Sequence, residues 1–189
     1  MLALRRAPAP QVSAVFCGHE ALSVDGGRVV DAQTDQGILK VLSKQLNDRL
    51  PAPQNGLDAF VSALKGLPPG LRAMAAIYQL DISISLDDFG WHFANWHHHG
   101  YSRETARGLR ELGATRAAEL YEAAYELAAG HWEQLGSSNF AEWYKDSQLE
   151  KALEPLNQEM WALYGAMGEL GLQKLWVEYA RRNPTVLRG

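Results

Sequence analysis

The chain has 189 residues, 47% of them hydrophobic, and its 18 basic and 22 acidic residues give a net charge of −4. A chain of this length buries roughly 70% of its unfolded surface, so its fold requires neither a disulfide nor a structural metal. Its single cysteine, Cys17, excludes an internal disulfide and favours a reducing, cytoplasmic location. We expect neither a secretory signal nor a membrane contact, because no apolar run reaches the roughly 20 residues of a membrane span.

The charges are distributed unevenly along the chain. Residues 1–80 carry a net charge of +2, residues 81–178 carry −9 and residues 179–189 carry +3. Because proteins bind phosphates through Lys and Arg, the acidic middle argues against direct contact with nucleic acid. A solvated helical surface is the simplest explanation of this acidity, and a basic protein partner is the functional alternative.

The first 33 residues predict an N-terminal arm that contains a small β-hairpin. Residues 12–17 and 21–31 are rich in apolar side chains, and the sequence Asp25-Gly26-Gly27 suits a tight turn. An isolated hairpin is marginally stable in water, so this one would have to pack on the rest of the chain.

From residue 34 the apolar spacing becomes helical and predicts about eight α-helices in a single domain over residues 34–189. Thr34 is a candidate N-cap of the first helix, and Ser147 with Glu150 has the spacing of a capping box. The alternating residues 82–84 predict an extended segment or a break, and Pro155 predicts that a helix restarts there. The predicted fold class is therefore all-α, a compact helical bundle with the small hairpin as an addition.

A histidine-rich stretch supplies the candidate metal ligands. Ser85 and Asp88 have the spacing of a capping box, which predicts a helix from there to about His99 with Leu86 on its apolar face. On such a helix Asp88, His92 and His99 would share one side, as ligands of a metal ion would. The one-helix zinc signature H-E-x-x-H is absent, so a polar helix edge is the simpler explanation.

Three glutamates and a tryptophan are the candidate partner-binding residues. Glu119, Glu122 and Glu126 are spaced to share a helix face, which is either solvated or attractive to a basic protein. On a helical wheel Trp91 points away from the apolar face of its own helix. It is therefore either an exposed interface anchor or is covered by a second helix.

No motif of a familiar catalytic class is present. The chain contains neither the G-x-S-x-G elbow of hydrolases nor the G-x-x-x-x-G-K-S/T loop that binds nucleotide phosphates. These absences favour a protein without catalysis and without a cofactor, although they leave an enzymatic function open.

Residues 67–187 contain a set of spaced residues that is typical of one protein family. The set consists of Arg72, Tyr78, Phe89, Phe93, Asn95, Leu112-Gly113-Ala114, Tyr179 and Asn183-Pro184. It resembles a family of small helical bacterial proteins that is named for a DNA-mimic protein, whose C-terminal domain defines it. The chain departs from the family pattern at Asp87-Asp88, where two glycines are usual, and at His97-His98-His99.

The resemblance implies a helical fold and a protein partner, in particular a DNA-binding protein. The founding member imitates the phosphate array of DNA with acidic side chains, and the family offers no catalytic residue to transfer. Our first hypothesis is therefore a non-catalytic interaction module that binds a protein through an acidic helical face, either as a monomer or as a homodimer. The second is a metal- or small-ligand-binding enzyme centred on Asp88, His92 and His99.

Overall fold

The computed structural model describes residues 34–52 and 56–188. Within these ranges the chain forms ten α-helices and two short 3-10 helices and contains no β-strand, which confirms the all-α class. The predicted hairpin and Cys17 lie outside the described residues. The boundary between an arm of residues 1–33 and a helical domain therefore stays a prediction.

The described residues form ten α-helices where about eight were predicted, and two of the ten, α7 and α8, are only four and five residues long. The α-helices are α1 (Asp35–Arg49), α2 (Leu57–Lys65), α3 (Pro69–Leu86), α4 (Phe89–Asn95), α5 (His99–Glu111), α6 (Thr115–Ala129), α7 (Trp132–Leu135), α8 (Phe140–Tyr144), α9 (Gln148–Ala166) and α10 (Gln173–Arg182). The 3-10 helices are Gly168–Leu170 and Pro184–Arg188. None of the helices formed by the described residues has the length and apolar character of a membrane span.

The centre of the structure is α3, which packs against α1, α2, α4, α5, α9 and α10. Twelve of its 18 residues are buried, the pattern of a helix that is surrounded by other elements. Its closest neighbour is α5, where a Cβ on Gly108 would lie 2.9 Å from the carbonyl oxygen of Ala73. Only a glycine permits this crossing, which brings the polar side chains of the two helices together.

The predicted break at residues 82–84 is wrong, because α3 continues without interruption to Leu86. Ser83 satisfies its hydroxyl locally by donating to the carbonyl of Gln79 one turn earlier, at 2.8 Å. Ile84 is 3% exposed. A helix that is buried on most sides loses the apolar periodicity by which sequence patterns are recognised.

The predicted restart at Pro155 is also wrong, because this residue lies inside α9. Proline removes one backbone hydrogen bond, but Pro155 is exposed, and Leu153 and Met160 on either side of it are buried in the core. Tertiary packing of the apolar face stabilises most helices more than intrinsic propensity does, so α9 continues through the proline.

Two predicted helix starts are confirmed. The Thr34 hydroxyl accepts the amide of Gly37 at 3.1 Å and begins α1. The Ser147 hydroxyl accepts the amide of Glu150 at 3.0 Å and begins α9. Both caps are local interactions within one turn, which is why the sequence predicts them correctly.

Candidate functional site

The predicted stripe of Asp88, His92 and His99 is wrong, because no single helix contains these residues. Asp88 is the N-cap of α4, which ends at Asn95, and His98 is the N-cap of the next helix, α5. His99 therefore belongs to α5 and no longer follows the direction of α4. Among residues 34–52 and 56–188, no group of three or more His, Cys, Asp or Glu side chains is placed to hold a metal ion.

His92 is a buried core residue with 0% exposure. Its Nδ1 donates to the Ser83 hydroxyl oxygen at 3.0 Å, because the Ser83 proton is already directed to the carbonyl of Gln79. Its Nε2 accepts from the hydroxyl of Tyr121 at 3.2 Å. Burial lowers the pKa of His92 to about 3, so the imidazole is neutral. Because its exposure is 0%, no ligand from solvent can reach it.

The three consecutive histidines join the α4–α5 connection to three other helices. His97 Nε2 lies 2.7 Å from the Trp132 carbonyl, His98 Nε2 lies 2.8 Å from Asp58 Oδ1, and His99 Nδ1 lies 2.6 Å from the Tyr125 hydroxyl. The rings of His97 and His99 also stack on the Trp132 indole, with centroids 4.5 and 4.2 Å away. These contacts assign the histidine stretch a structural role.

The predicted acidic face on α6 contains arginines as well as glutamates. Arg110 donates to both carboxylate oxygens of Glu122, at 2.9 and 2.5 Å, and Arg116 pairs with Glu119 at 3.0 Å. Of the three predicted glutamates, only Glu126 takes part in no ion pair with the residues that the structure describes. Arginine side chains thus pair with Glu119 and Glu122, two of the three glutamates that were predicted to make this face acidic.

A different group of carboxylates lies where α4, α8 and α9 begin. We call it the acidic edge, and it consists of Asp87, Asp88, Glu142, Asp146, Glu150 and Glu154. These carboxylates belong to residues 87–88 and 140–154, which contain only two basic residues, Lys145 and Lys151. Six negative and two positive charges give the two segments a net charge of −4. Asp88 and the last four carboxylates form no ion pair with any part of the chain that the structure describes.

Tyr144 joins the parts of the acidic edge. Its hydroxyl donates to Asp88 Oδ2 at 3.1 Å. Burial raises the pKa of Tyr144 far above its ordinary value, and the negative charges of Asp88, Glu150 and Asp87 raise it further. Three carboxylates from α9 and from the start of α4 thus lie close to one hydroxyl group.

Asp88 accepts hydrogen bonds from a backbone amide and from a tyrosine hydroxyl. Burial raises its pKa, and the nearby charge of Glu150 adds to this effect, while hydrogen bonds from the Trp91 amide and the Tyr144 hydroxyl oppose it. The Trp91 amide donates to Asp88 Oδ1 at 2.9 Å as the N-terminal cap of α4. Ser85, the predicted cap, instead donates its hydroxyl to the carbonyl of Ile82.

Leu86 directly precedes Asp87 in the sequence, and Trp91 follows Asp88 by three residues. Trp91 is half-buried, and its ring packs edge-on against Phe140 of α8 with centroids 4.9 Å apart. A second helix therefore covers it, one of the two predicted alternatives. Leu86 was predicted on an apolar face but is 73% exposed, because α3 ends there and α4 begins in a new direction. No sequence pattern distinguishes this leucine from the buried ones around it.

This fold and its acidic edge define a small all-α protein with a negatively charged surface feature and without a metal-ligand cluster among its described residues. The chain belongs to the DMP19-like protein family, whose model matches residues 65–183, more than half of its length. The match confirms the resemblance predicted over residues 67–187. No curated protein and no solved structure matches the chain significantly.

Proposed function

We propose that the protein is a non-catalytic interaction module that binds a basic protein surface through the acidic edge. The observation that carries this proposal is the convergence of Asp88 and Glu150 on Tyr144 without a cation from the described chain. Like charges that lie this close oppose one another, and a Lys or Arg side chain from a partner would relieve the repulsion.

A DNA-binding protein is the class of partner that we favour. Such proteins present clustered Lys and Arg to phosphates, and these side chains would pair equally well with a surface array of carboxylates. The resemblance to a family named for a DNA mimic supports the same class. A bacterial, cytoplasmic setting, where such partners occur, is part of the proposal, as is direct binding to protein rather than to nucleic acid.

Asp88, His92 and His99 do not support the alternative of a metal-centred enzyme. His92 is sealed in the core between α3 and α6, Asp88 bonds to α8, and His99 bonds to α6. Their positions therefore favour structural roles, and the acidic edge is the better candidate for function.

The test uses the purified full chain as bait in a lysate of its native host, with bound proteins identified by mass spectrometry. Washing at about 0.1 M and about 1 M salt shortens the Debye length from about 10 Å to about 3 Å. We expect a basic protein that is retained at low salt and lost at high salt.

A matched pair of double variants locates the binding surface. E142Q/E154Q removes two exposed carboxylates of the acidic edge, and E169Q/E178Q removes two exposed carboxylates elsewhere. Both variants change the net charge by +2, so a general charge effect would weaken both equally. Loss of the partner with E142Q/E154Q alone supports the proposal, and equal binding by both variants contradicts it. Light scattering of the same samples tests the predicted homodimer.

A further inference from the structure

Leu86 is the most exposed large hydrophobic side chain among the described residues, at 73%. It is the last residue of α3, and the acidic edge begins directly after it at Asp87. A solitary exposed leucine is common on protein surfaces, so its surroundings decide whether it has a role.

The residue after Leu86 is hydrogen-bonded to α9. The indole Nε1 of Trp161 donates to the carbonyl of Asp87 at 2.9 Å, and Tyr164 follows Trp161 by three residues on the same helix. Both aromatic rings are half-buried. Leu86 therefore lies at a junction of α3 and α9 that the Trp161–Asp87 hydrogen bond joins, rather than at a fraying helix end. A binding group on such a junction loses little conformational entropy when it is covered.

The charges around this apolar point restrict what can cover it. A purely apolar segment would remove water from the neighbouring carboxylates without replacing their hydrogen bonds, which is unfavourable. A basic but wholly polar segment would pair with the carboxylates and leave Leu86 exposed. A segment that carries both Lys or Arg and an apolar side chain satisfies both requirements.

We propose that Leu86 and Trp161 form an apolar anchor point next to the acidic edge, and that the partner docks there with a basic amphipathic segment. The proposal rests on the proposed function and adds to it the chemistry of the docking segment. An aliphatic or aromatic residue of the partner covers Leu86, while the Lys and Arg residues around it pair with the carboxylates of the acidic edge.

The test measures binding of two fluorescent synthetic peptides to the full chain by anisotropy. The peptides have equal length and charge, and one alternates Lys with Leu whereas the other alternates Lys with Ser. Full burial of a leucine side chain contributes a factor of roughly 10 to 100 in affinity. We expect the Lys–Leu peptide to bind about 10-fold more tightly or better, and both peptides to be released by salt.

The variant L86S should abolish the advantage of the Lys–Leu peptide and leave binding of the Lys–Ser peptide unchanged. The control is L127S on α6, which alters the other exposed large hydrophobic side chain of the described chain, at 40% exposure. Both positions are solvent-exposed, so both variants should fold, which circular dichroism verifies. If L86S and L127S behave alike, the anchor point is wrong.

The outcomes separate this proposal from the proposed function. If E142Q/E154Q weakens both peptides while L86S weakens neither, the acidic edge binds a basic partner and the apolar anchor is refuted. If neither peptide binds in a salt-dependent manner, both proposals fail. If L86S instead abolishes self-association seen by light scattering, a second copy of this chain is the occupant and the basic segment is refuted.

Discussion

The Tyr121 hydroxyl lies 3.2 Å from Nε2 of His92, and both side chains are fully buried. Tyr121 donates a hydrogen bond to Nε2, and Nδ1 donates a hydrogen bond to the Ser83 hydroxyl oxygen. Both nitrogens of the neutral imidazole are therefore hydrogen-bonded. A second proton on the ring would remove the acceptor of Tyr121 and place an uncompensated charge in the core. The stability of the fold is therefore linked to pH through this residue.

We predict that the free energy of unfolding decreases as the pH falls below about 6.5. Burial lowers the pKa of His92 to about 3 in the folded protein, whereas an unfolded histidine has a pKa of about 6.5. The unfolded state therefore binds a proton first, and stability is lost progressively until both states are protonated. Between about pH 7 and about pH 4 this single group should cost about 3 kcal/mol.

Urea unfolding of the wild type and of H92Q at several pH values measures this effect. The glutamine cannot titrate, so the variant should be less stable near neutrality but lose about 3 kcal/mol less on acidification. A variant with the same pH dependence as the wild type would show that other groups are responsible.

The ion pairs of Glu104 should matter more than those on the surface. Glu104 is 6% exposed and accepts from Arg72 at 2.8 and 2.5 Å and from Arg107 at 3.0 Å. Burial raises its pKa, but these hydrogen bonds outweigh burial and hold the pKa below its ordinary value. We predict that E104Q lowers the free energy of unfolding by about 3 kcal/mol, because it leaves two guanidinium groups with an incomplete partner.

The matched control for E104Q is E122Q, which alters the exposed pair with Arg110. Exposed ion pairs contribute about 0 to 1 kcal/mol, so this variant should remain close to the wild type in the same denaturation experiment. Equal losses for the two variants would contradict a special role for burial at Glu104.

Substitution by alanine should change the stability of the fold in opposite directions at two glycines. A Cβ on Gly90 would lie 2.2 Å from the ring of Tyr144, whose hydroxyl is bonded to Asp88, whereas a Cβ on Gly165 of α9 meets nothing within 4 Å. G90A should lower stability by about 1 to 3 kcal/mol through overpacking. G165A should raise it by about 0.5 to 1 kcal/mol, because alanine favours a helix over glycine. Thermal unfolding measures both signs, and a neutral G90A would show that Tyr144 can move away.

The side chain of His98 should contribute to stability as the cap of α5. Its Nδ1 accepts the amide of Tyr101 at 3.0 Å. We predict that H98A lowers the free energy of unfolding by about 1 kcal/mol, because the Tyr101 amide loses its acceptor. Urea unfolding of the wild type and the variant measures this loss.

The variant H98N is the matched control for H98A. Asparagine is a good N-cap, so H98N should keep more of the wild-type stability than H98A does. Equal losses for the two variants would show that capping by His98 is not the cause.

The sequence by itself determined the helical class, the start of α1 after Thr34 and the start of α9 after Ser147. These features depend on apolar spacing and on caps that bond within one turn, so the information lies in a few neighbouring residues.

Only the tertiary structure decided the features that depend on distant partners. Arg110 reaches Glu122 from another helix, and Trp161 reaches the carbonyl of Asp87 across 74 positions of sequence. The end of α4 at Asn95 likewise depends on the contacts that the following histidines make with other helices. Spacing along one helix carries no information about which charge a neighbouring helix supplies. For that reason the predicted acidic face is partly neutralised on α6, while Asp88 and Glu150, which form no ion pair with the described chain, lie near Tyr144.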